Sequence, residues 1–151
     1  MIREGKKLPA DILVKIPAAV AKIAEDKSVI ALYTFGSLAE SNLRPLSDVD
    51  FAVLLSESLD RKERFSKSID LIGILNQTLK TDEVDLLLLN DDPLRFAYNV
   101  LKKGKLVYCK DRNQLLDFIE KTIKLYLDFK PVRDRFDEVF LEGIGYHGRA
   151  D

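Results

Sequence analysis

Tryptophan is absent from this 151-residue chain, and cysteine, methionine and histidine occur once each. One cysteine excludes an internal disulfide framework and a cysteine-built zinc site. One histidine excludes a multi-histidine metal site and leaves little room for a histidine-dependent triad. If the chain uses a metal, its ligands are carboxylates. Apolar runs fall well short of the ~20 residues that span a bilayer. The opening stretch, MIREGKKLPADILVK, lacks the apolar core of a signal peptide. Charge of one sign is missing too: 24 Lys and Arg face 25 Asp and Glu, a net of −1. That excludes a global basic field and disfavours direct binding to nucleic acid. With 46% apolar and 32% charged residues, the expectation is one soluble, cytoplasmic domain over residues 1–151 with no membrane partner.

Hydrophobic periodicity orders the elements. Ile12, Leu13, Ile16, Ala19, Val20 and Ile23 recur at helical spacing after Pro9. VIALYTF (29–35), VDFAVLL (49–55), VDLLLL (84–89) and KLVYC (105–109) read as strands. Residues 37–42 suit a short helix that ends before Pro45. Residues 57–79 predict a helix with Leu59, Phe65, Ile69, Ile72 and Leu75 inward. Pro93 starts a short helix, with Asp91 and Asp92 as its expected caps. Asp111 caps a longer helical pattern to about Leu141, which Pro131 is expected to split. The predicted fold is α/β (α+β): a small mixed sheet of about four strands flanked by helices. Its core is about residues 28–110, followed by a helical segment at 111–141 and a tail at 142–151.

The chemistry concentrates in FGSLAESNLRPLSDVDFAVLL, residues 35–55. Gly36 and Ser37 end a strand at a turn toward a helix. There, backbone N–H groups and the helix dipole favour phosphate, and glycine lets the backbone come close to it. Asp48 and Asp50 are two apart at the start of the next strand, so both side chains share a face. Two such carboxylates repel unless a cation joins them, and an all-oxygen donor set suits Mg²⁺ or Mn²⁺. Holding two metals ~3.5–4 Å apart calls for a third carboxylate. Asp85, an acid in an otherwise apolar strand, fits if that strand lies beside the second. Burying it would be costly unless it were paired or metal-bound.

The run Gly36-Ser37-x10-Asp48-x-Asp50 resembles the signature of the nucleotidyltransferase (DNA polymerase β-like) superfamily. Length, VDLLLLN and RFAYNVLKKGKLVY resemble its minimal nucleotidyltransferases, over about residues 28–130. Members of that group are commonly encoded beside a HEPN-domain ribonuclease toxin and act as its antitoxin. The resemblance implies that Gly36 and Ser37 hold a nucleoside triphosphate and that Asp48 and Asp50 ligate two Mg²⁺ (or Mn²⁺) ions. It implies that Asp85 is the third ligand and takes the proton from the attacking hydroxyl. It places Arg44 on phosphate and Ser47 beside Asp48, orienting it. The implied activity is transfer of AMP from ATP to a tyrosine of a partner HEPN toxin. Such motifs often read G-S-x-A-R-G; here Glu40 replaces the basic side chain and Ser41 the glycine, which weakens the expected triphosphate contacts.

Alternatives stay open on sequence alone. A small-molecule nucleotidyltransferase of the aminoglycoside-modifying type needs further helical mass for its acceptor, and only the segment after about Asp111 is available. A non-catalytic antitoxin that masks its partner would not need the acidic triad. Tyr33, Phe35 and Tyr98 are candidates for stacking on the base. Gly143 to Gly148 spells G-x-G-x-x-G, but it follows a helix and opens none, so it is read as tail, His147 included. Cys109 is read as a core residue. Leu115, Phe118, Thr122, Leu125, Phe129, Val132, Phe136 and Val139 repeat at 3–4 spacing, as in a helix seam. That seam packs either on the chain's own sheet or on a partner. Lys121, Lys124, Lys130, Arg133 and Arg135 border it as a solvated face.

Overall fold

The two most apolar β-forming runs lie side by side in the middle of one sheet. The computed structural model describes residues 12–36 and 49–143, apart from the side chains of residues 129, 130 and 132–143. In chain order the elements are α1 (Ile12–Ala24), β1 (Val29–Phe35), β2 (Val49–Leu55), α2 (Arg61–Leu79), β3 (Val84–Leu88), α3 (Leu94–Lys103), β4 (Lys105–Cys109) and α4 (Arg112–Gly143). The strand order is β3-β2-β1-β4. β1 is antiparallel to both β2 and β4, and β2 is parallel to β3. The predicted mixed four-stranded sheet is observed.

Helices cover both faces, which is why the central strands are apolar throughout rather than alternating. On one side α1 and α2 pack Ala19, Ile23, Leu71, Leu75 and Leu79 against Val29, Leu32, Phe51 and Val53. On the other, Ala97 and Val100 of α3 and Leu115 of α4 pack against Ala31, Tyr33, Ala52 and Leu54. In β2 every residue except Asp50 is buried.

The β2–α2–β3 crossover is closed by side chains at its far end. Asp60 caps α2 by accepting from Glu63 N–H, and Glu63 accepts in return from Asp60 N–H, a capping box. Lys80 ends the helix in the left-handed region, at φ 55°. Asn90 accepts from Leu55 N–H and donates to Leu55 C=O, extending the sheet by one side chain. Arg64 donates to both oxygens of Asp91, at 2.8 and 2.6 Å, and to Leu59 C=O at 2.6 Å.

Four sequence expectations are corrected here. Phe65 and Ile69 do not point inward: they are 65% and 52% exposed, and α2 buries Ser68, Leu71, Leu75 and Leu79 instead. Both stripes repeat at helical spacing, so the pattern alone did not choose between them. The Arg64–Asp91 clamp and the sheet surface fix the rotation. Asp91 and Asp92 do not cap α3: Asp91 binds Arg64, Asp92 accepts from Leu88 N–H at 2.7 Å, and the cap residue Pro93 makes no side-chain bond. Pro131 does not split the last helix, because α4 runs through it to Gly143. A proline removes one backbone donor and crowds one turn, and the long run of helix on both sides outweighs that loss. Finally, the helix expected from about residue 57 begins only at Arg61.

The seam on α4 is divided. Leu115 and Thr122 are buried and Phe118 packs partly on the sheet, whereas Leu125 is 47% exposed. Its members from Phe129 onward lie outside the described side chains. Cys109 is half-buried beside the α3-side core, as a packing residue. Tyr126 of α4 stacks on Tyr98 of α3 with centroids 3.9 Å apart and planes 9° from parallel, which ties the two helices together.

Candidate active site

The end of β1 and the beginnings of β2 and β3 meet at one edge of the sheet. Antiparallel pairing sets Phe35 opposite Asp50. Parallel pairing sets Asp50 opposite Asp85. Residues directly opposite one another project to the same face, on strands ~4.8 Å apart. The face is the one that α3 and α4 cover farther in. The sheet thus brings together two carboxylates 35 positions apart in the chain, one in a central strand and one in the edge strand.

Gly36 follows at once, with φ +64°. A methyl group there would come within 2.5 Å of Asp50 Oδ2. Glycine is therefore required twice, by the backbone conformation and by the space that the Asp50 carboxylate takes. Glycine also leaves the turn's backbone open to a ligand.

Gly36, Asp50 and Asp85 are brought to one edge of the sheet. Ser37, Arg44, Ser47 and Asp48 lie outside the described residues, as does the short helix expected at 37–42. Among the described residues no three metal-ligating side chains cluster, and Asp50 with Asp85 is the described part of the carboxylate set expected from the sequence. The burial argument for Asp85 is corrected: its side chain is exposed, not buried. It starts an edge strand, so the apolar neighbours in sequence are not its surroundings in space. An all-oxygen pair at one register fits a hard divalent cation.

A cavity of about 420 Å³ opens beside Gly36. Phe35 and Leu87 from the sheet, and Phe96 and Val100 from α3, make its apolar wall; Asn99 and Lys103 are its polar members. Of the three aromatic candidates, only Phe35 reaches it. Tyr33 is 5% exposed in the core, and burial lifts its phenol above the ordinary 10.0. Tyr98 is occupied by Tyr126. Phe96, Asn99 and Lys103 were missed by the sequence reading. Their i, i+3, i+7 spacing puts them on one helix face, but nothing local says that this face turns toward Gly36.

Paired acids beside an exposed glycine, at one end of a small mixed sheet, are the arrangement expected of a nucleotidyl-transfer site. The family model "Polymerase beta, Nucleotidyltransferase" matches residues 19–113, and the chain belongs to that family. Among solved structures it is similar to a chain of a toxin–antitoxin complex with AMP-PNP. The identity there is 26% and the TM-score 0.63, over 84% of this chain and 97% of that one. It is also similar to a chain of the MntA–HepT toxin–antitoxin complex (25%, TM-score 0.61, 85% and 98% covered). A chain of the complex of a tri-AMPylated Shewanella oneidensis HEPN toxin with MNT antitoxin shares the fold (24%, TM-score 0.62, 85% and 98% covered). No curated protein matches by sequence. No helix among the described residues is long and apolar enough to cross a membrane.

Proposed function

We propose that the chain is the antitoxin of a toxin–antitoxin pair, and that it transfers AMP from ATP to a tyrosine hydroxyl of a HEPN-domain partner. The observation that carries this is the registration of Asp50 with Asp85 beside Gly36, in a chain that resembles the complex holding AMP-PNP. In that reading Gly36 and Ser37 hold the triphosphate through backbone N–H groups, with Arg44 on phosphate and Ser47 orienting Asp48. Asp48, Asp50 and Asp85 are the residues that would hold divalent cations, Mg²⁺ or Mn²⁺. When bound, such cations neutralise charge on the phosphates and lower the pKa of a coordinated hydroxyl.

The acceptor oxygen forms a bond to the α-phosphorus. The bond from that phosphorus to the bridging oxygen of the β-phosphate breaks, and pyrophosphate leaves. The acceptor's proton passes to the Asp85 carboxylate, which its exposure leaves accessible to an incoming side chain.

The test mixes the protein with Mg²⁺, ATP labelled at the α-phosphate and a HEPN-domain partner protein. Label on the partner, lost with Asp48→Asn plus Asp50→Asn, is the expected result. Suppression of the partner without label, equal in wild type and the double variant, would mean that the chain acts by binding alone. Label on a small acceptor such as an aminoglycoside, and none on protein, would move the activity to the small-molecule class.

A further inference from the structure

In sequence, residues 36–41 carry an acid, Glu40, and no base, and the triphosphate of the proposed reading calls for a cation beyond Arg44. The fold offers one from another element. Gly104 packs against the end of β1: a methyl there would meet Val100 C=O at 2.5 Å and Thr34 C=O at 3.1 Å. Lys105 pairs with Thr34, two residues before Gly36. The C-terminal end of α3 is thereby fixed onto the strand that delivers Gly36, and Lys103 lines the same cavity as Gly36. Lys103 makes no ion pair with any other described residue. The rest of this slot is lined by apolar side chains apart from Asn99, and Phe96 in it is half-exposed, with Arg95 lying 5.2 Å over its ring.

We propose that α3 is the second half of the donor-nucleotide site. Phe35, Leu87, Phe96 and Val100 receive the nucleoside ring, Asn99 meets its polar edge, and Lys103 adds phosphate-neutralising charge that residues 36–41 lack in sequence. This rests on the nucleotidyl-transfer reading and deepens it. An aromatic acceptor would suit the slot as well, but the lysine beside a phosphate turn matches the chemistry of the donor. Charge-assisted contact from an ammonium to phosphate strengthens with the number of phosphates, whereas ring burial does not.

The experiment is a ladder of equilibrium binding with ATP, ADP, AMP and adenosine in the presence of Mg²⁺. Lys103→Ala is expected to weaken ATP by about tenfold and adenosine by less than about twofold, while Lys103→Arg stays near wild type. Lys102→Ala, an exposed neighbour outside the cavity, leaves every rung unchanged. Phe96→Ala weakens all rungs alike. Wild-type binding of ATP with a flat Lys103→Ala ladder overturns this proposal and leaves the transfer reading standing. Phe96→Ala raising the acceptor KM without changing ATP affinity reassigns the slot to the acceptor and overturns it too. No ATP binding by wild type brings down both readings.

Discussion

Acids stand at both ends of β3, Asp85 within it and Asp91 and Asp92 just beyond it, and the two ends treat them in opposite ways. At the far end Asp91 is gripped by both nitrogens of the Arg64 fork, Asp92 accepts from Leu88 N–H, and Asn90 closes on Leu55. Each polar group there is answered within the chain, and the answer is rigidity. At the near end Asp85 stands beside a second carboxylate, Asp50, and a glycine whose Cβ would have struck that carboxylate. Two like charges on neighbouring strands oppose folding rather than aid it. The difference teaches that an acid's role is set by its neighbour across the sheet and not by its strand. One end is closed by its own side chains, and the other sets two acids at one register beside an exposed glycine.

Substitutions at the two ends can break that contrast. The largest effect is expected for Asp50→Asn, which should lower AMP transfer at least about 100-fold while leaving the protein folded, as measured by label transfer and thermal unfolding. A matching fall in melting temperature would show that Asp50 is structural. Gly36→Ala comes next. It meets both the left-handed backbone and the Asp50 oxygen, so about 1–3 kcal/mol of stability should be lost together with transfer, read by urea unfolding beside the activity assay. At the far end Asp91→Ala should cost about 2 kcal/mol by removing a fork-bound carboxylate, with transfer per folded molecule within about twofold of wild type.

The smallest effect sharpens the comparison at a third place. Burial pushes the Asp26 carboxyl up, but hydrogen bonds from Ser28 and Lys67 outweigh it and hold the group below the ordinary 3.8. Its contribution is then full above that value and lost as pH falls through the lower folded value. Wild type should exceed Asp26→Asn by about 1 kcal/mol at neutral pH, with the gap closing only in strong acid. A gap that closes near pH 6 would point to another group.

The sheet was legible because strand identity is a local property. VIALYTF and VDFAVLL are apolar along their length, and helices on both faces make that the right pattern. Gly36 and Asp50 were legible for the same reason, since a short interval links a turn to the strand paired with it. Helix rotation was less so. Phe65 and Ile69 fall at helical spacing as well as Leu71 and Leu75 do, and only contact with the sheet told them apart. Asp85 was placed correctly in its strand but wrongly surrounded, because an edge strand's end is open to solvent whatever its sequence neighbours are.

By itself, then, the sequence determined the strands, the glycine turn, the acids and the family they resemble, all of them carried by spacings within one or two elements. Only the tertiary structure decided that β3 pairs with β2 so that Asp85 meets Asp50, and that Gly104 draws α3 onto β1 so that Lys103 faces the cavity beside Gly36. Those are contacts between residues tens of positions apart. Local propensity says nothing about them, and they form only when the whole apolar sheet is buried between its helices.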